Sequence, residues 1–274
     1  MVTGANSGIG KATSVKLVEM GATVVMVCRN RGRGERAMAD IKKKTGRDSV
    51  ELLLADFSSL ASVRLLANEY SGKHESLHVL VDNVGLVSAL RRETVDGFET
   101  TFQVDYLSHF LLTNLLLGLL KKSAPSRIVE VSSVAQFREH LDLGDLQTEK
   151  GYGVMKSYSR AKLAQVLFTY ELARRLEGTG ITANCLHPGA VATNIWGRAF
   201  GPAAFLGKVT KLFMISPDKG AETPVYLASS PEVEGVTGKY FENKQEKKSA
   251  ADSYDVGLAQ GLWSASEKLT GLGA

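Results

Sequence analysis

The sequence predicts an α/β fold in which a doubly wound parallel sheet carries helices on both faces, in a single domain over residues 1–274. Short, unbroken apolar runs alternate with helix-period segments, a pattern typical of a parallel sheet that is buried on both faces. A glycine-rich turn separates the first strand from the first helix. The chain has 274 residues, 44% of them hydrophobic, which is enough to bury a large core. Because crossovers between parallel strands are right-handed, we expect ligands at the carboxyl ends of the strands.

The apolar runs and the segments between them predict the individual elements. Only Met1 and Val2 precede the glycine-rich turn, whereas a strand usually has about five residues, so we expect a few N-terminal residues to be missing. The later strands are predicted at Thr23–Cys28, Val50–Ala55, Val79–Val81, Ile128–Val131, Ile181–Leu186 and Lys239–Phe241. The helices are predicted at Ile9–Met20, Gly34–Thr45, Ser59–Tyr70, Phe98–Leu120, Tyr158–Leu176 and Lys219–Leu227.

Composition excludes several classes of protein. No apolar stretch reaches the roughly 18 residues of a membrane span, and the richest, Leu111–Leu120, predicts a buried helix because polar residues interrupt it. No signal peptide opens the chain, so we expect a cytoplasmic protein. Cys28 and Cys185 lie in apolar strands and are predicted to be core residues of a reducing compartment. The five histidines lack metal-ligand spacing and the basic residues lack interleaved aromatics, so we expect neither a metal site nor nucleic-acid binding.

The stretch Thr3–Gly10, with the sequence TGANSGIG, leads from the first strand directly into a helix. Glycines let the backbone approach a pyrophosphate, whose negative charge is favoured by the free N–H groups of a helix N-terminus. The spacing is GxxxGxG rather than GxGxxG, so the position between strand and helix carries the interpretation. The stretch predicts a Rossmann-type dinucleotide site with cofactor-binding residues Gly4, Asn6, Ser7, Gly8, Ile9 and Gly10.

The ends of the next two strands indicate which dinucleotide binds. Arg29 follows the second strand at the place where an NAD site is expected to offer an acidic residue. An arginine suits the 2′-phosphate of NADP through charge-assisted contacts, although it could also be a solvated loop residue. Asp56 follows the third strand, where its carboxylate could accept from the adenine amino group or cap the helix that begins near Ser59.

Two polar groups predict the chemistry. Ser132 and Ser133 follow the strand Ile128–Val131, and Tyr158 and Lys162 lie four residues apart on a predicted helix, so they share one helix face. A tyrosine has a reference pKa near 10, and a neighbouring ammonium lowers the pKa by favouring the phenolate. Such a tyrosine can act as general acid in carbonyl reduction or as general base in alcohol oxidation.

Together these motifs resemble those of the short-chain dehydrogenase/reductase superfamily, in the order that the family has them. The motifs that carry the resemblance are Thr3–Gly10, Ser133, the pair Tyr158 and Lys162, His187-Pro188-Gly189, and Thr193. Within the superfamily, the segments Asp96–Glu99, Tyr106–Thr113 and Glu171–Leu176 are similar to the retinol dehydrogenase-like branch.

The resemblance implies a role for each matching residue. Ser133 polarises the substrate oxygen, Tyr158 transfers the proton, and Lys162 holds the nicotinamide ribose and lowers the tyrosine pKa. Arg29 selects NADP and Asp56 contacts adenine. Further cofactor-binding residues are implied at Asn83, Gly85, Pro188, Gly189 and Thr193, of which the last three border the nicotinamide.

Two departures from the family pattern stand out. The family usually has Asn-Asn-Ala-Gly after the fourth strand, whereas this chain has Asp82-Asn83-Val84-Gly85. Asp105 stands at the family's catalytic helix asparagine, which holds the water of the proton relay. An ionised aspartate accepts but cannot donate a hydrogen bond, and its negative charge opposes phenolate formation at Tyr158. We therefore expect a slower relay, with Asp105 counted among the catalytic residues.

A segment at 194–216 is rich in large apolar side chains and is predicted to cover the substrate site, although it could instead pack on the sheet or on a partner subunit. A lipophilic aldehyde, ketone or alcohol would suit such a cover.

The helices Phe98–Leu120 and Tyr158–Leu176 could form a homodimer or be buried within one chain. The predicted function is an NADP-dependent oxidoreductase acting on a carbonyl/alcohol pair; the alternative is a dinucleotide-binding scaffold or sensor. The large apolar side chains of the segment 194–216 are Ile195, Trp196, Phe200, Phe205, Leu206, Leu212, Phe213, Met214 and Ile215.

Overall fold

A computed structural model describes residues 1–190 and 215–272 of the chain. Its strands are β1 Val2–Thr3, β2 Val24–Cys28, β3 Val50–Leu54, β4 Val79–Asp82, β5 Ser126–Val131, β6 Ile181–His187, β7 Tyr240–Glu242 and β8 Gln245–Lys247. Its α-helices are α1 Gly8–Glu19, α2 Arg31–Thr45, α3 Leu60–Lys73, α4 Thr100–Phe102, α5 Ser108–Lys122, α6 Val154–Arg175, α7 Pro217–Gly220, α8 Glu222–Ser229 and α9 Val256–Thr270.

The described strands form one sheet in the order β3-β2-β1-β4-β5-β6-β7-β8. Every neighbouring pair is parallel except β7 and β8, which form an antiparallel hairpin at one edge. The strand order reverses between β1 and β4, and in doubly wound sheets the ligand crevice opens at such a reversal. The predicted doubly wound α/β fold is therefore confirmed.

Two apolar layers sandwich the sheet. On one face, α3, α5, α6 and α9 bury a cluster rich in leucine and phenylalanine. On the other face, α1, α2 and α8 bury a cluster dominated by valine. Because both faces are covered, β2 is buried along its whole length, which explains the unbroken apolar runs of the sequence.

The first strand has only two residues, as the sequence predicts, yet it is fully integrated into the sheet. Val2 pairs with Met26 on one side and with Val81 on the other. Both residues of β1 are buried. This central position fixes the start of the glycine-rich turn relative to the ends of β2 and β4.

The predicted helix Phe98–Leu120 differs most from the structure. It begins at Thr100 and passes through a π-helical turn, Gln103–Leu107, before it continues as α5. The buried carboxylate of Glu99 starts it by accepting from the N–H groups of Thr101 and Phe102 at 2.9 and 2.8 Å. Single π turns are frequent at functional sites, and this one contains Asp105.

Other elements also differ from the prediction. The helix predicted from Tyr158 begins at Val154, and the helix predicted at Lys219–Leu227 is split into α7 and α8. The edge strand β8 escaped prediction because all three of its residues are exposed and show no apolar pattern. The helix α9 was also missed, although Asp255 and Gly271 are typical cap residues at its two ends.

The helix α9 packs on the face that α5 and α6 share. Its Trp263 ring lies 5.0 Å from the Phe110 ring and 5.8 Å from the Phe168 ring, and the Arg175 guanidinium lies 4.1 Å above it. Its Ser266 shares a 2.6 Å hydrogen bond with the buried Tyr106 hydroxyl. This face of the two helices is thus buried within one chain, and the homodimer stays a prediction.

We expect Trp263→Ala to lower the free energy of unfolding by about 3–5 kcal/mol, because it removes a large buried ring and leaves a cavity between three helices. Urea denaturation of the purified protein measures the loss. Leu65→Ala is the control, since the Leu65 side chain is 69% exposed and should matter little. Similar losses in the two variants would contradict the packing role of α9.

Candidate active site

A cleft of about 1290 Å³ opens at the carboxyl ends of the strands, where the strand order reverses. It brings together most of the residues that the sequence singles out, although they are far apart along the chain. Gly10 and Asp105 lie behind its wall, and Thr193 lies outside the described residues. The predicted residues that line the cleft are Gly4, Asn6, Ser7, Gly8, Ile9, Arg29, Asp56, Asn83, Gly85, Ser133, Tyr158, Lys162, Pro188 and Gly189.

The glycine-rich turn depends on three glycines for two different reasons. Gly4 and Gly8 have φ values of +67° and +56°, in the left-handed region that favours glycine. Gly10 has no room for a side chain, since a Cβ there would lie 2.6 Å from the Gly4 carbonyl oxygen. The Ser7 side chain makes no capping hydrogen bond, so the backbone N–H groups at the N-terminus of α1 are left uncapped by it, an arrangement that suits the binding of an anion.

Thr3 holds the glycine-rich turn against the end of β4. Its hydroxyl accepts from the N–H groups of Asn83 at 2.8 Å and Val84 at 3.1 Å, and it donates to the Val81 carbonyl at 3.3 Å. The Asn83 side chain returns a 2.8 Å hydrogen bond to the Thr3 carbonyl. Thr3 belongs to the predicted Thr3–Gly10 stretch, but this role was not predicted for it; a hydroxyl residue directly before the first glycine is the signal that was available.

The end of the cleft beside β2 and β3 carries arginines. Arg29 lies 3.7 Å from the Asp56 carboxylate, and because the Arg29 side chain is largely exposed and Asp56 is only partly buried, this ion pair is weak. Arg33 and Arg36, which lie on α2, also line this end. Asp56 does not cap α3, because the cap is Ser59, and the Asp56 carboxylate accepts from the N–H and hydroxyl of Ser58 instead.

Ser133, Tyr158 and Lys162 meet at the other end. The Lys162 ammonium lies 5.5 Å from the centre of the Tyr158 ring and donates to the Val131 carbonyl at 3.2 Å. Ser133 hydrogen-bonds Tyr158. The neighbouring Ser132 is buried and donates to the Lys162 carbonyl at 2.8 Å, so it serves the packing of α6 on β5. This division between the two serines agrees with the choice of Ser133.

Asp105 pairs with Lys162 rather than facing the cleft. Its carboxylate lies 3.3 Å from the Lys162 Nζ and accepts from the Leu86 N–H at 2.8 Å. Both side chains are buried. Gly85 covers the pair, since a Cβ there would lie 3.3 Å from the Asp105 carboxylate and 3.6 Å from Nζ.

Burial and neighbouring charges oppose one another at Tyr158. Burial raises its pKa, the Lys162 ammonium lowers it, the Asp105 carboxylate raises it, and the Ser133 hydrogen bond lowers it; the net shift is upward. The lysine acts in the predicted direction, but desolvation of the phenolate outweighs it. Burial acts to lower the pKa of Lys162, yet the facing Asp105 raises it above its usual value, so the ammonium stays charged.

The part of the cleft beside β6 is bordered by His187, the last residue of that strand, and by Pro188 and Gly189, which follow it. Burial lowers the pKa of His187 to about 4, so its imidazole is neutral at pH 7. A Cβ at Gly189 would lie 2.5 Å from the Ile215 side chain, so Ile215 packs directly on this turn. Of the predicted cover at 194–216, residues 194–214 lie outside the described residues.

The family model for short chain dehydrogenase matches residues 1–201 of the chain. The chain belongs to the short-chain dehydrogenase family. It is 44% identical to human retinol dehydrogenase 14, over 99% of the chain and 86% of that protein, and 42% identical to human retinol dehydrogenase 13, over 100% of the chain and 85% of that protein. It is also 40% identical to human polyprenol dehydrogenase, over 99% of the chain and 84% of that protein.

These similarities place this short-chain dehydrogenase in the retinol dehydrogenase-like branch, as its motifs predict, and identify it as an oxidoreductase. A crystal structure of an uncharacterised protein from Mycobacterium paratuberculosis shares its fold, with a TM-score of 0.78 and 34% identity over 98% of this chain and 91% of that one. Among residues 1–190 and 215–272 no group of side chains has the make-up of a metal site, and no helix has the length and apolarity to cross a membrane.

We expect Thr3→Val in this short-chain dehydrogenase to lower the free energy of unfolding by about 2 kcal/mol, because two buried N–H groups lose their acceptor. It should also weaken dinucleotide binding, since the turn is no longer held against β4. Thr3→Ser keeps the hydroxyl and should restore both properties. Urea denaturation and fluorescence titration with NADPH measure them; equal behaviour of the valine and serine variants would contradict the role of the hydroxyl.

Proposed function

We propose that this short-chain dehydrogenase uses NADP(H) to interconvert lipophilic carbonyl compounds and alcohols, with Tyr158 as general acid and base. The observation that carries the proposal is that the glycine-rich turn and the group Ser133, Tyr158 and Lys162 open into the same cleft. A site built only to bind a dinucleotide has no need of a tyrosine beside a buried ammonium.

The residues present fit a dinucleotide. The left-handed Gly4 and the crowded Gly10 leave the backbone bare at the start of α1, where a pyrophosphate would lie. The arginines at positions 29, 33 and 36 would surround the 2′-phosphate at the end of β2. When bound, NADPH supplies the hydride, and the protein supplies orientation, charge and the proton.

The proton step follows from the contacts of Tyr158. Ser133 is placed to hold the substrate oxygen beside the tyrosine hydroxyl. In carbonyl reduction, Tyr158 donates its proton to that oxygen as negative charge develops there. The tyrosine O–H bond breaks and the O–H bond of the alcohol forms. The buried Lys162 ammonium stabilises the phenolate that remains.

Apolar side chains around the reaction end support a lipophilic substrate. The loop after β4 contributes Val84, Leu86, Val87 and Leu90 to the cleft, and Val134 also lines it. Leu90 is 63% exposed and therefore lies at the rim. The relatives named for retinol and polyprenol dehydrogenation are consistent with this chemistry. The cytoplasmic location stays a prediction.

One observation favours the alternative of a nucleotide-binding scaffold or sensor. The Asp105 carboxylate occupies the buried side of Lys162 at 3.3 Å, which favours a protonated Tyr158 and a slow proton step. The scaffold would bind NADPH without measurable turnover, so one activity assay separates the two candidates.

We expect Tyr158→Phe to abolish carbonyl reduction, with a loss of at least about 100-fold in kcat/KM, because the proton donor is removed. NADPH consumption is followed by absorbance against aliphatic, aromatic and retinoid aldehydes and ketones. NADPH binding by the variant is the control for folding. If the unchanged protein binds NADPH but reduces none of these compounds, the proposed oxidoreductase activity is overturned and the nucleotide-binding scaffold is favoured.

We expect Arg29→Ala to weaken NADPH binding by about 1.5–3 kcal/mol, the usual contribution of hydrogen bonds to a charged group, while NADH binding changes little. Titration calorimetry with both cofactors measures the difference. Arg31→Ala is a matched control, because Arg31 is also exposed at the start of α2 but does not line the cleft. Equal losses for the two cofactors would remove the assignment of NADP.

A further inference from the structure

A column of buried polar side chains extends from Tyr158 into the core, between the sheet and the helices α5 and α6. Three of these residues are spaced four apart along the chain: Asp105, His109 and Thr113. Each contacts an ionisable side chain on another strand or helix. Asp105 pairs with Lys162 at 3.3 Å, His109 Nδ1 lies 2.6 Å from the Glu130 carboxyl, and Thr113 donates to Asp82 at 2.8 Å. The charge column is defined by Asp82, Asp105, His109, Glu130 and Lys162.

The two deepest carboxyl groups of the charge column are neighbours. Asp82 on β4 and Glu130 on β5 lie opposite each other in the parallel register, and both are fully buried. Gln165 on α6 donates to Glu130 Oε1. Within the described residues, the second oxygens, Asp82 Oδ1 and Glu130 Oε2, accept no hydrogen bond. A buried carboxylate oxygen without a donor is costly, so the protonated form of each group is favoured.

The charges of the column do not balance if every group ionises. It has three carboxyl groups, but burial lowers the pKa of His109, which leaves the Lys162 ammonium as its one cation at neutral pH. Asp105 is the carboxyl in direct contact with that ammonium. The state without net charge therefore has Asp105 ionised and protons on both Asp82 and Glu130.

This neutral state is lost as the pH rises. Burial raises the pKa of Asp82 to about 7 and raises the pKa of Glu130 well above its usual value. Cys185, which faces Glu130 from β6, stays a neutral thiol because burial raises its pKa. No facing group on β1 or β6 offsets the charge, and the column becomes negative above neutral pH.

We propose that the charge column ionises before Tyr158 and, once negative, keeps the tyrosine in its protonated, acid form. Asp82, His109 and Glu130 are then positioning residues that act on Tyr158 through Asp105 and Lys162. The consequence is that the site retains its proton donor for carbonyl reduction at alkaline pH, whereas base catalysis of alcohol oxidation begins only at still higher pH. This consequence rests on the proposed function; the ionisation order itself does not.

The test is a spectroscopic titration that needs neither cofactor nor turnover. Phenolate absorbance is recorded against pH for each protein and for the same protein carrying Tyr158→Phe, and the difference isolates Tyr158. In the double variant Asp82→Asn/Glu130→Gln, Asp105 is the one carboxyl group left in the charge column, and the Lys162 ammonium balances its charge. The column therefore can no longer become negative as the pH rises. We expect the Tyr158 midpoint of this variant to fall by about one pH unit, since negative charge that acts on the Lys162 ammonium has been removed and the ammonium can then favour the phenolate more strongly.

Two further variants serve as comparisons. Asp105→Asn removes the carboxylate next to Lys162 and should also lower the midpoint. Glu171→Gln makes the same chemical change at a buried carboxyl near the far end of α6, where it pairs with Arg174 and Arg175, and should leave the midpoint unchanged. If the double variant fails to fold, Asp82→Asn alone should shift the midpoint in the same direction by a smaller amount.

An unchanged Tyr158 midpoint in a folded double or Asp82→Asn variant overturns the proposal. A lowered midpoint supports it, whether or not the protein turns over any carbonyl compound. Where turnover is found, the alkaline limb of carbonyl reduction should move to lower pH in the double variant, and an unmoved limb contradicts the proposed control of catalysis. A lowered midpoint in a protein that has no turnover supports the charge column and overturns the proposed enzyme.

Discussion

The buried ammonium of Lys162 is the constraint on which the reaction end of the cleft depends. A cation in the protein interior is stable only with a counter-charge and further acceptors, and here Asp105 and the Val131 carbonyl provide them. The pair in turn fixes its surroundings. Gly85 covers it closely, since a Cβ there would lie 3.3 Å from the carboxylate, and the Leu86 N–H donates to that carboxylate, so the loop after β4 packs directly on the charged pair.

The sheet determines which residues can meet. Its strand order reverses between β1 and β4, so the chain leaves the sheet on opposite faces there and a cleft opens at the carboxyl ends. Thr3, at the end of the two-residue β1, hydrogen-bonds the segment after β4 and thereby links the pyrophosphate turn to the loop that covers Lys162. The glycine-rich turn and this loop are therefore held together by hydrogen bonds that the Thr3 and Asn83 side chains make to the neighbouring backbone.

The sequence predicted the sheet and the cleft because both depend on local signals: apolar runs, glycines at a turn, and a tyrosine and a lysine four residues apart. It did not predict the π turn, which contains Asp105 and so involves a contact with Lys162 on another helix, far away in the chain. The partners of His109 and Glu130 were also hidden, because residues 21 apart in the chain meet only once β5 packs on α5. Long-range pairing of polar groups leaves no periodic trace in a sequence.

Acidic residues at three buried positions give this site an electrostatic character of its own. Each of Asp82, Asp105 and Glu130 could have been a neutral side chain of similar size, and a neutral amide would have avoided the desolvation cost. The Asp105 carboxylate raises the pKa of Tyr158, and Glu130 acts on the Lys162 ammonium that faces the tyrosine. Asp105 thus makes the phenolate harder to form, and in the proposed reaction this favours a tyrosine that donates a proton over one that removes it.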